Sequence, residues 1–328
     1  VMKHRQLSAG LTVSALGLGC MGMSEFYGPR EDTESLKVLH RACDLGINFL
    51  DTADTYGFGH NEELIGQFLR ESSAPMVIAS KFGIVRAPGS YERRVDNSEA
   101  YMRQACEASL ARLGVERIDL FYVHRLNPDY PVEETMESLS RLVSEGKIGH
   151  IGLCEVGADT LKRAHAIHPV AAIQTEYSLW TRHVEKEILP TCRVLGVGFV
   201  PYSPLGRGFL TGTFAADTDF SEGDFRASLP RFQAENMEAN RPIIDVLQSV
   251  ATRHEATAAQ IALSWLLAKG DDIVPIPGTK RLKYLEENTE AVNLTLSDDE
   301  IGALDAAAAP EAVAGARYTE EGMKGVES

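Results

Sequence analysis

Cysteine is scarce in this sequence. The five thiols, Cys20, Cys43, Cys106, Cys154 and Cys192, are odd in number, widely spaced and never in a CxxC pair. That spacing offers no zinc ribbon, thioredoxin-like centre or disulfide framework, and it predicts a reduced, cytoplasmic protein. Long apolar runs are also missing, since none reaches the roughly 18 residues that a membrane span needs. The first residues, Val1-Met2-Lys3-His4-Arg5-Gln6, lead into Gly10 and Thr12 rather than an apolar signal core, so neither export nor membrane spanning is expected. Positive charge is short as well: 32 Lys+Arg against 47 Asp+Glu give a formal net charge of −15. A surface of that sign argues against nucleic acid or an anionic membrane as a partner. It still permits a phosphorylated small ligand, because a few local cations and a helix N-terminus can hold phosphate within an acidic protein.

What is present is the composition of a folded globular chain, with 44% hydrophobic and 24% charged residues. At about 150 residues per domain the length allows two domains, although α/β barrels of this size form one. Short β-branched runs alternate with longer amphipathic stretches, the pattern of parallel strands and crossover helices. The spacing predicts eight strands: 15–19, 48–53, 77–81, 118–124, 151–154, 172–176, 198–202 and 273–276. Helices are expected over 33–45, 61–71, 98–113, 132–145, 158–168, 184–195, 239–254, 257–269 and 281–292. Gly46, Gly114, Gly146, Gly196 and Gly270 closely follow helical stretches, as αL caps do. Eightfold alternation without a linker predicts a single-domain (β/α)8 TIM barrel over 1–328, with an open doubly wound sheet as its rival. In a barrel, function sits at the C-terminal ends of the strands. The aperiodic segment 206–236 reads as a cover over that site. The small-residue-rich, charged tail 309–328 reads as disordered, unless Tyr318 and Met323 close a pocket.

Gly17-Leu18-Gly19-Cys20-Met21-Gly22 matches the dinucleotide fingerprint GxGxxG. That motif needs a helix opening from the turn and an acid about 20 residues on, whereas residues 23–32 intervene here and Asp51 lies further away. A Rossmann site is not expected.

A sharper set follows. Asp51 ends the second expected strand in DTADTYG, Tyr56 lies just beyond it, Lys81 ends the third in IASKFG, and His124 ends the fourth in DLFYVH. A barrel would bring all four to one mouth. Alone, each has an ordinary structural explanation: a turn cap, a half-buried ring, a solvated strand end, a core histidine. Together, an ammonium and a carboxylate flanking a phenol make an acid system. The ammonium favours the tyrosinate, the aspartate keeps the lysine charged and placed, and the histidine orients a carbonyl by hydrogen bonding. The same residue types also occur in metal-dependent barrel hydrolases, but no HxH pair supplies the ligand set, and no metal is expected.

From Leu7 to Asn288 the chain resembles the aldo-keto reductases, through DTADTYG…NEELIG, SKFG, DLFYVHR, SPLGRGFLTG and IPGTK…LEEN. The GCMGMSEFYG and IPGTKR…LEEN segments are similar to the pyridoxal-reductase-like and perakine-reductase-like branch. The resemblance implies a (β/α)8 barrel holding NADPH across the strand C-termini, with reversible reduction of small or medium aldehydes and ketones. It implies Tyr56 as general acid, Lys81 and Asp51 as its tuners and His124 as the carbonyl orienter.

The resemblance also implies cofactor contacts. Gly22 and Met23 lie after the first strand. Cys154-Glu155 stands where the family has Ser-Asn for the carboxamide, with Gln174 on the next strand. Glu155 can accept a carboxamide N–H but cannot donate one back. Tyr202 is the implied stacking aromatic, and Ser203-Pro204-Leu205-Gly206-Arg207-Gly208 the pyrophosphate segment. Arg226 is the implied covering arginine, and Gly278-Thr279-Lys280 the 2′-phosphate site. Glu287 and Asn288 match the adenine pair, while Tyr284 stands where many members carry Arg or Gln. Tyr27, Phe82, Arg125 and Trp180 are substrate-pocket candidates by position, with Met23, Phe26 and the rest of 82–96 nearby. A second reading is an NADPH-binding redox sensor resembling the potassium-channel β-subunits.

Overall fold

Strands buried on both faces have no amphipathic alternation, and that is how the central strands of this chain are built. The computed structural model describes residues 1–90 and 92–327; Tyr91, within the 82–96 loop, and Ser328, the last residue of the tail, lie outside them. The strands are β1 (His4–Ser8), β2 (Leu11–Ser14), β3 (Leu18–Gly19), β4 (Phe49–Asp51), β5 (Val77–Phe82), β6 (Ile84–Val85), β7 (Arg94–Val95), β8 (Ile118–Val123), β9 (Ile148–Cys154), β10 (Ala172–Glu176) and β11 (Gly198–Tyr202). Seven of them form one parallel sheet in the order β11-β10-β9-β8-β5-β4-β3.

The eighth expected strand closes the ring without a regular ladder. Val274 and Ile276 donate to Phe199 and Pro201 at 2.9 and 3.1 Å, while Gly17 and Gly19 donate to Pro275 and Pro277 at 2.9 and 3.2 Å. Pro275 and Pro277 present carbonyls but no N–H towards β3, so pairing on that side runs one way only. The chain is therefore a single-domain (β/α)8 barrel.

Around it lie α1 (Asp32–Asp44), α2 (His60–Glu71), α3 (Glu99–Leu113), α4 (Val132–Ser144), α5 (Ala158–Ile167), α6 (Ile188–Leu195), α7 (Ala234–Ala239), α8 (Arg241–Arg253), α9 (Ala258–Leu267), α10 (Leu282–Thr289) and α11 (Asp298–Ala307). Local chemistry sets several ends. Ser98 caps α3 by accepting from Tyr101 N, and Gly114 ends that helix in the left-handed region; capping boxes open α9 at Thr257/Gln260 and α11 at Ser297/Glu300.

Two apolar layers hold the barrel. Leu50, Ile78, Phe121, Leu153 and Ile173 face the helices, whereas Phe49, Ala79, Leu120, Tyr122, Cys154 and Val200 fill the interior. Adjacent residues fall in opposite layers because strand side chains alternate. The hairpin β1–β2, which the βα alternation does not foresee, packs Leu7, Leu11 and Val13 against the inner layer and plugs the bottom. Segment 206–236 is a chain of tight turns at Gly206–Thr211, Phe225–Ser228 and Pro230–Phe232 leading into α7. The tail departs from the disordered reading: Asn240 anchors Ala314, Arg317 pairs with Glu155, and Glu327 N donates to Glu155 O at 2.9 Å.

Candidate active site

The strand ends bring Asp51, Tyr56, Lys81 and His124 together at the C-terminal mouth. Tyr56 opens a tight turn after β4 in which Gly57 and Phe58 take φ of 60° and 55°. Lys81 Nζ donates to Asp51, to Thr52 O at 2.8 Å and to Tyr56 Oη at 3.2 Å. The other oxygen of Asp51 accepts from Gln174 Nε2 at 2.8 Å. The rings of Tyr56 and His124 meet edge to face with centroids 5.9 Å apart. Burial opposes the charge on Lys81, but Asp51 and Tyr56 outweigh it and hold the ammonium above its ordinary value.

Burial pushes the Tyr56 phenol up to about 12, although Lys81 pulls against it. The lysine thus acts in the direction that the sequence implies, but desolvation is the larger effect in this protein. Burial, reinforced by Lys81 and Arg125, holds His124 well below its ordinary value and so neutral, and its Nδ1 has no partner among the described residues.

Tyr56 and His124 open onto a cavity of about 1250 Å3. Near them its wall includes Gly22, Tyr27, Asp51, Arg125, Cys154 and Gln174. It continues past Tyr202, Ser203, Pro204, Leu205, Arg207 and Gly208, with Arg226 above, and ends at Gly278, Thr279, Lys280, Tyr284, Glu287 and Asn288. Lys280 Nζ is held by the carbonyls of Tyr27 and Pro29, both at 2.7 Å. Arg226 pairs with Asp224 at 2.6 Å and donates to Arg207 O at 3.0 Å. Across the cavity, Phe225 N donates to Phe26 O at 3.0 Å, which ties segment 206–236 to the loop after β3.

Lys81 lies behind Asp51 and Tyr56 rather than on this wall, and five of the cofactor and substrate candidates do not reach it either. Phe82 points outward from β5 and stacks on Phe121 at 5.1 Å, because its neighbour Lys81 takes the inward position. Met23 is buried in the layer beneath the helices. Gly206 abuts the Trp180 indole, and Trp180 is buried against Phe209 with stacked rings 4.5 Å apart. Glu155, at a φ of 56°, is turned away and bound to Arg317 at 2.5 Å and to Tyr202 Oη at 2.5 Å. Its carboxylate is thus committed to the tail, contrary to the carboxamide contact that the sequence implies.

Glu176, Thr181, Arg231 and Arg317, which sequence reasoning missed, make an ion network with Arg207 beside the mouth. Glu176, ending β10, is fully buried and meets Arg207 at 3.0 Å, Arg317 at 3.4 Å and Arg231 at 3.7 Å, while Thr181 Oγ1 donates to it at 2.8 Å. Burial pushes this carboxyl up, but the three arginines prevail and hold it at about 2. Tyr318 Oη lies 2.7 Å from Tyr202 Oη. No local signal identifies pairs formed across 141 and 162 residues of chain.

Among the described residues no group of three or more His, Cys, Asp or Glu side chains converges as metal ligands would, and no helix is long and apolar enough to cross a membrane.

Residues 15–309 match the sequence profile of the Aldo/keto reductase family. Among curated relatives, a probable aldo-keto reductase 1 from Glycine max is 45% identical over 311 residues, covering 94% of this chain and 89% of that protein. The aldo-keto reductase yakc [NADP(+)] from Schizosaccharomyces pombe is 44% identical, covering 94% and 92%. Among solved structures, the glycerol dehydrogenase AKR11B4 from Gluconobacter oxydans superposes with a TM-score of 0.86 at 28% identity, over 94% of this chain and 96% of that one. The chain, matched over nearly its whole length by profile, sequence and fold, belongs to the aldo/keto reductase family.

Proposed function

We propose that this protein is an NADP(H)-dependent carbonyl reductase that interconverts aldehydes or ketones with alcohols, using Tyr56 as proton donor. The observation that carries the reading is the Asp51–Lys81–Tyr56 chain of contacts opening, beside His124, onto the cavity.

The cavity residues suit a dinucleotide phosphate. The cavity is long, and Gly19 and Gly278 let two backbones approach where a Cβ on Gly19 would come within 2.8 Å of Ile276 O. Lys280, Arg281 and Lys283 gather at its far end, with Thr279 and the start of α10. Those groups would hold the 2′-phosphate, and Arg207 and Gly208 would line the pyrophosphate. Segment 206–236, tied to the opposite loop at Phe26, would cover the bound molecule. The NADP(+) in the name of the S. pombe relative agrees with this assignment. When bound, the cofactor supplies hydride to the carbonyl carbon.

The chain's own residues manage the proton. With its phenol near 12, Tyr56 stays protonated at neutral pH. A developing alkoxide is a stronger base than a phenolate, so donation from Tyr56 Oη runs downhill, and Lys81 at 3.2 Å stabilises the tyrosinate that forms. Asp51 keeps that ammonium charged and placed, itself oriented by Gln174. Neutral His124, beside the phenol, directs a ring N–H to the carbonyl oxygen.

The substrates proposed are aromatic or pyridoxal-like aldehydes, supported by the similarity of the GCMGMSEFYG and IPGTKR…LEEN segments to the pyridoxal- and perakine-reductase-like branch. Loss of NADPH absorbance with an aromatic aldehyde tests the activity. Tyr56→Phe should lower turnover by about 10²- to 10⁴-fold, the range of general acid catalysis, with NADPH binding retained; undiminished turnover would refute the donor role.

A further inference from the structure

We infer that the carbonyl end of the cavity is an anion subsite, built by Arg125 and Arg93, that selects carbonyl substrates carrying a carboxylate or phosphate. The inference rests on the reductase reading and narrows its substrate class.

The observation behind it is an imbalance of partners. The other arginines of the wall that are shielded from solvent have a carboxylate: Arg86 pairs with Glu25, Arg207 with Glu176 and Arg226 with Asp224, and only the exposed Arg281 has none among the described residues. Arg125 and Arg93 form no ion pair among the described residues. Arg125 follows His124 directly and is only 4% exposed, yet its guanidinium makes a single hydrogen bond, from Nη1 to His124 O at 2.9 Å, and its Nε has no partner. Arg93 lines the same space and is half-buried; its backbone N–H reaches Glu321 at 3.3 Å while its guanidinium meets no carboxylate.

Two like charges facing one space repel, and the Arg93 guanidinium is depressed by burial first and by Arg125 next. Leaving buried cations without a counter-charge costs stability. Glu321, which lines the same cavity, is paired with Lys324 at 2.8 Å and accepts from the Arg93 backbone rather than from its guanidinium. Glu155, the acid whose field Arg125 feels, is already bound to Arg317 and Tyr202. A purely structural use of Arg125 accounts for its stem, which packs under Gly325 of the tail, but not for its unpaired guanidinium. The missing charge is therefore assigned to the substrate. Planar guanidinium forks suit carboxylate and phosphate oxygens, and the subsite adjoins the carbonyl orienter His124, so the anion and the reacting carbonyl belong to one molecule.

The test compares matched aldehydes with NADPH: 4-carboxybenzaldehyde against its methyl ester, and pyridoxal 5′-phosphate against pyridoxal. The readout is the ratio of kcat/KM, charged over neutral, in wild type and in Arg125→Met, Arg93→Met and Arg125→Lys. In wild type at least one pair should show a ratio of about tenfold or more, the scale of one charge-assisted hydrogen bond. That pair identifies carboxylate or phosphate as the preferred anion. Each Met variant should shrink the ratio, chiefly through KM of the charged member, and Arg125→Lys should restore part of it. Ratios near one in wild type, or ratios unmoved by the variants, would overturn the inference while leaving the reductase reading intact. The ester comparison needs no variant, so a misfolded mutant does not remove the test. If no aldehyde is reduced, the reductase reading fails, and calorimetry with 4-carboxybenzyl alcohol and pyridoxal 5′-phosphate decides the subsite. Binding weakened in Arg125→Met supports it, and absent or unchanged binding refutes it.

Discussion

Replacing Glu176 by Gln removes the charge shared by the buried Arg207 and Arg231 and the half-buried Arg317. The carboxyl is held at about 2 instead of its ordinary 4.5. A difference of that size favours the charged form by about 3 kcal/mol. Breaking a buried ion pair by removing one partner costs about 3–5 kcal/mol, because the remaining charges stay desolvated. The two routes agree, and since Gln still accepts from Thr181 Oγ1, the lower figure is expected at pH 7: a loss of about 3 kcal/mol. The sign of the pH dependence follows. A folded-state value depressed below the unfolded one stabilises the protein above the unfolded value, and that contribution disappears as pH falls through the folded one. The gap between wild type and Glu176→Gln should therefore be constant down to about pH 5 and shrink below it. Urea unfolding followed by tryptophan fluorescence at pH 7, 5.5, 4 and 3 measures this. A loss under about 0.5 kcal/mol at pH 7, the scale of an ordinary surface substitution, would refute the reasoning. So would a gap that persists unchanged at pH 3.

Lys280→Ala should weaken NADPH binding more than NADH binding, since only NADPH carries the 2′-phosphate; equal weakening in fluorescence titrations would move that site elsewhere. Asp54, with Oδ1 unpartnered, has its carboxyl pushed up to about 8 by burial first and by Glu62 next. A folded value raised above the unfolded one means that ionising Asp54 costs stability as pH rises between about 4 and 8. Asp54→Asn should therefore gain on wild type across that window, by on the order of 1 kcal/mol once residual solvent contact is discounted. Urea unfolding at pH 5 and pH 8.5 checks it, and an equal offset at both would refute it.

The barrel was legible because strands covered on both faces read as short apolar runs separated by glycine-capped helices. Asp51, Lys81 and His124 could be read together for the same reason: the repeating βα unit carries each strand's end to the same mouth. Side-chain direction within a strand was less accessible. Lys81 and Phe82 are neighbours, yet the pleat sends one inward and the other beneath the helices. Cys154 lines the cavity while Glu155 turns away at a positive φ. The eighth strand was expected, but not that Pro275 and Pro277 would let it pair as acceptor only on one side. The tail reads as a polar, small-residue segment because the carboxylates that fix Arg317 lie 141 and 162 residues away, beyond any local pattern. The helix expected over 239–254 is α8, which begins just after Asn240, and what the sequence did not show is that the Asn240 side chain anchors the tail at Ala314.

The central claim is that Tyr56 donates the proton in an NADPH-dependent carbonyl reduction. Its most direct test is single-turnover oxidation of bound NADPH by an aromatic aldehyde, wild type beside Tyr56→Phe, with NADPH affinity measured for both. The account predicts comparable affinity and a chemical step slowed by about 10²-fold or more in the variant. Equal rates in the two proteins would contradict it.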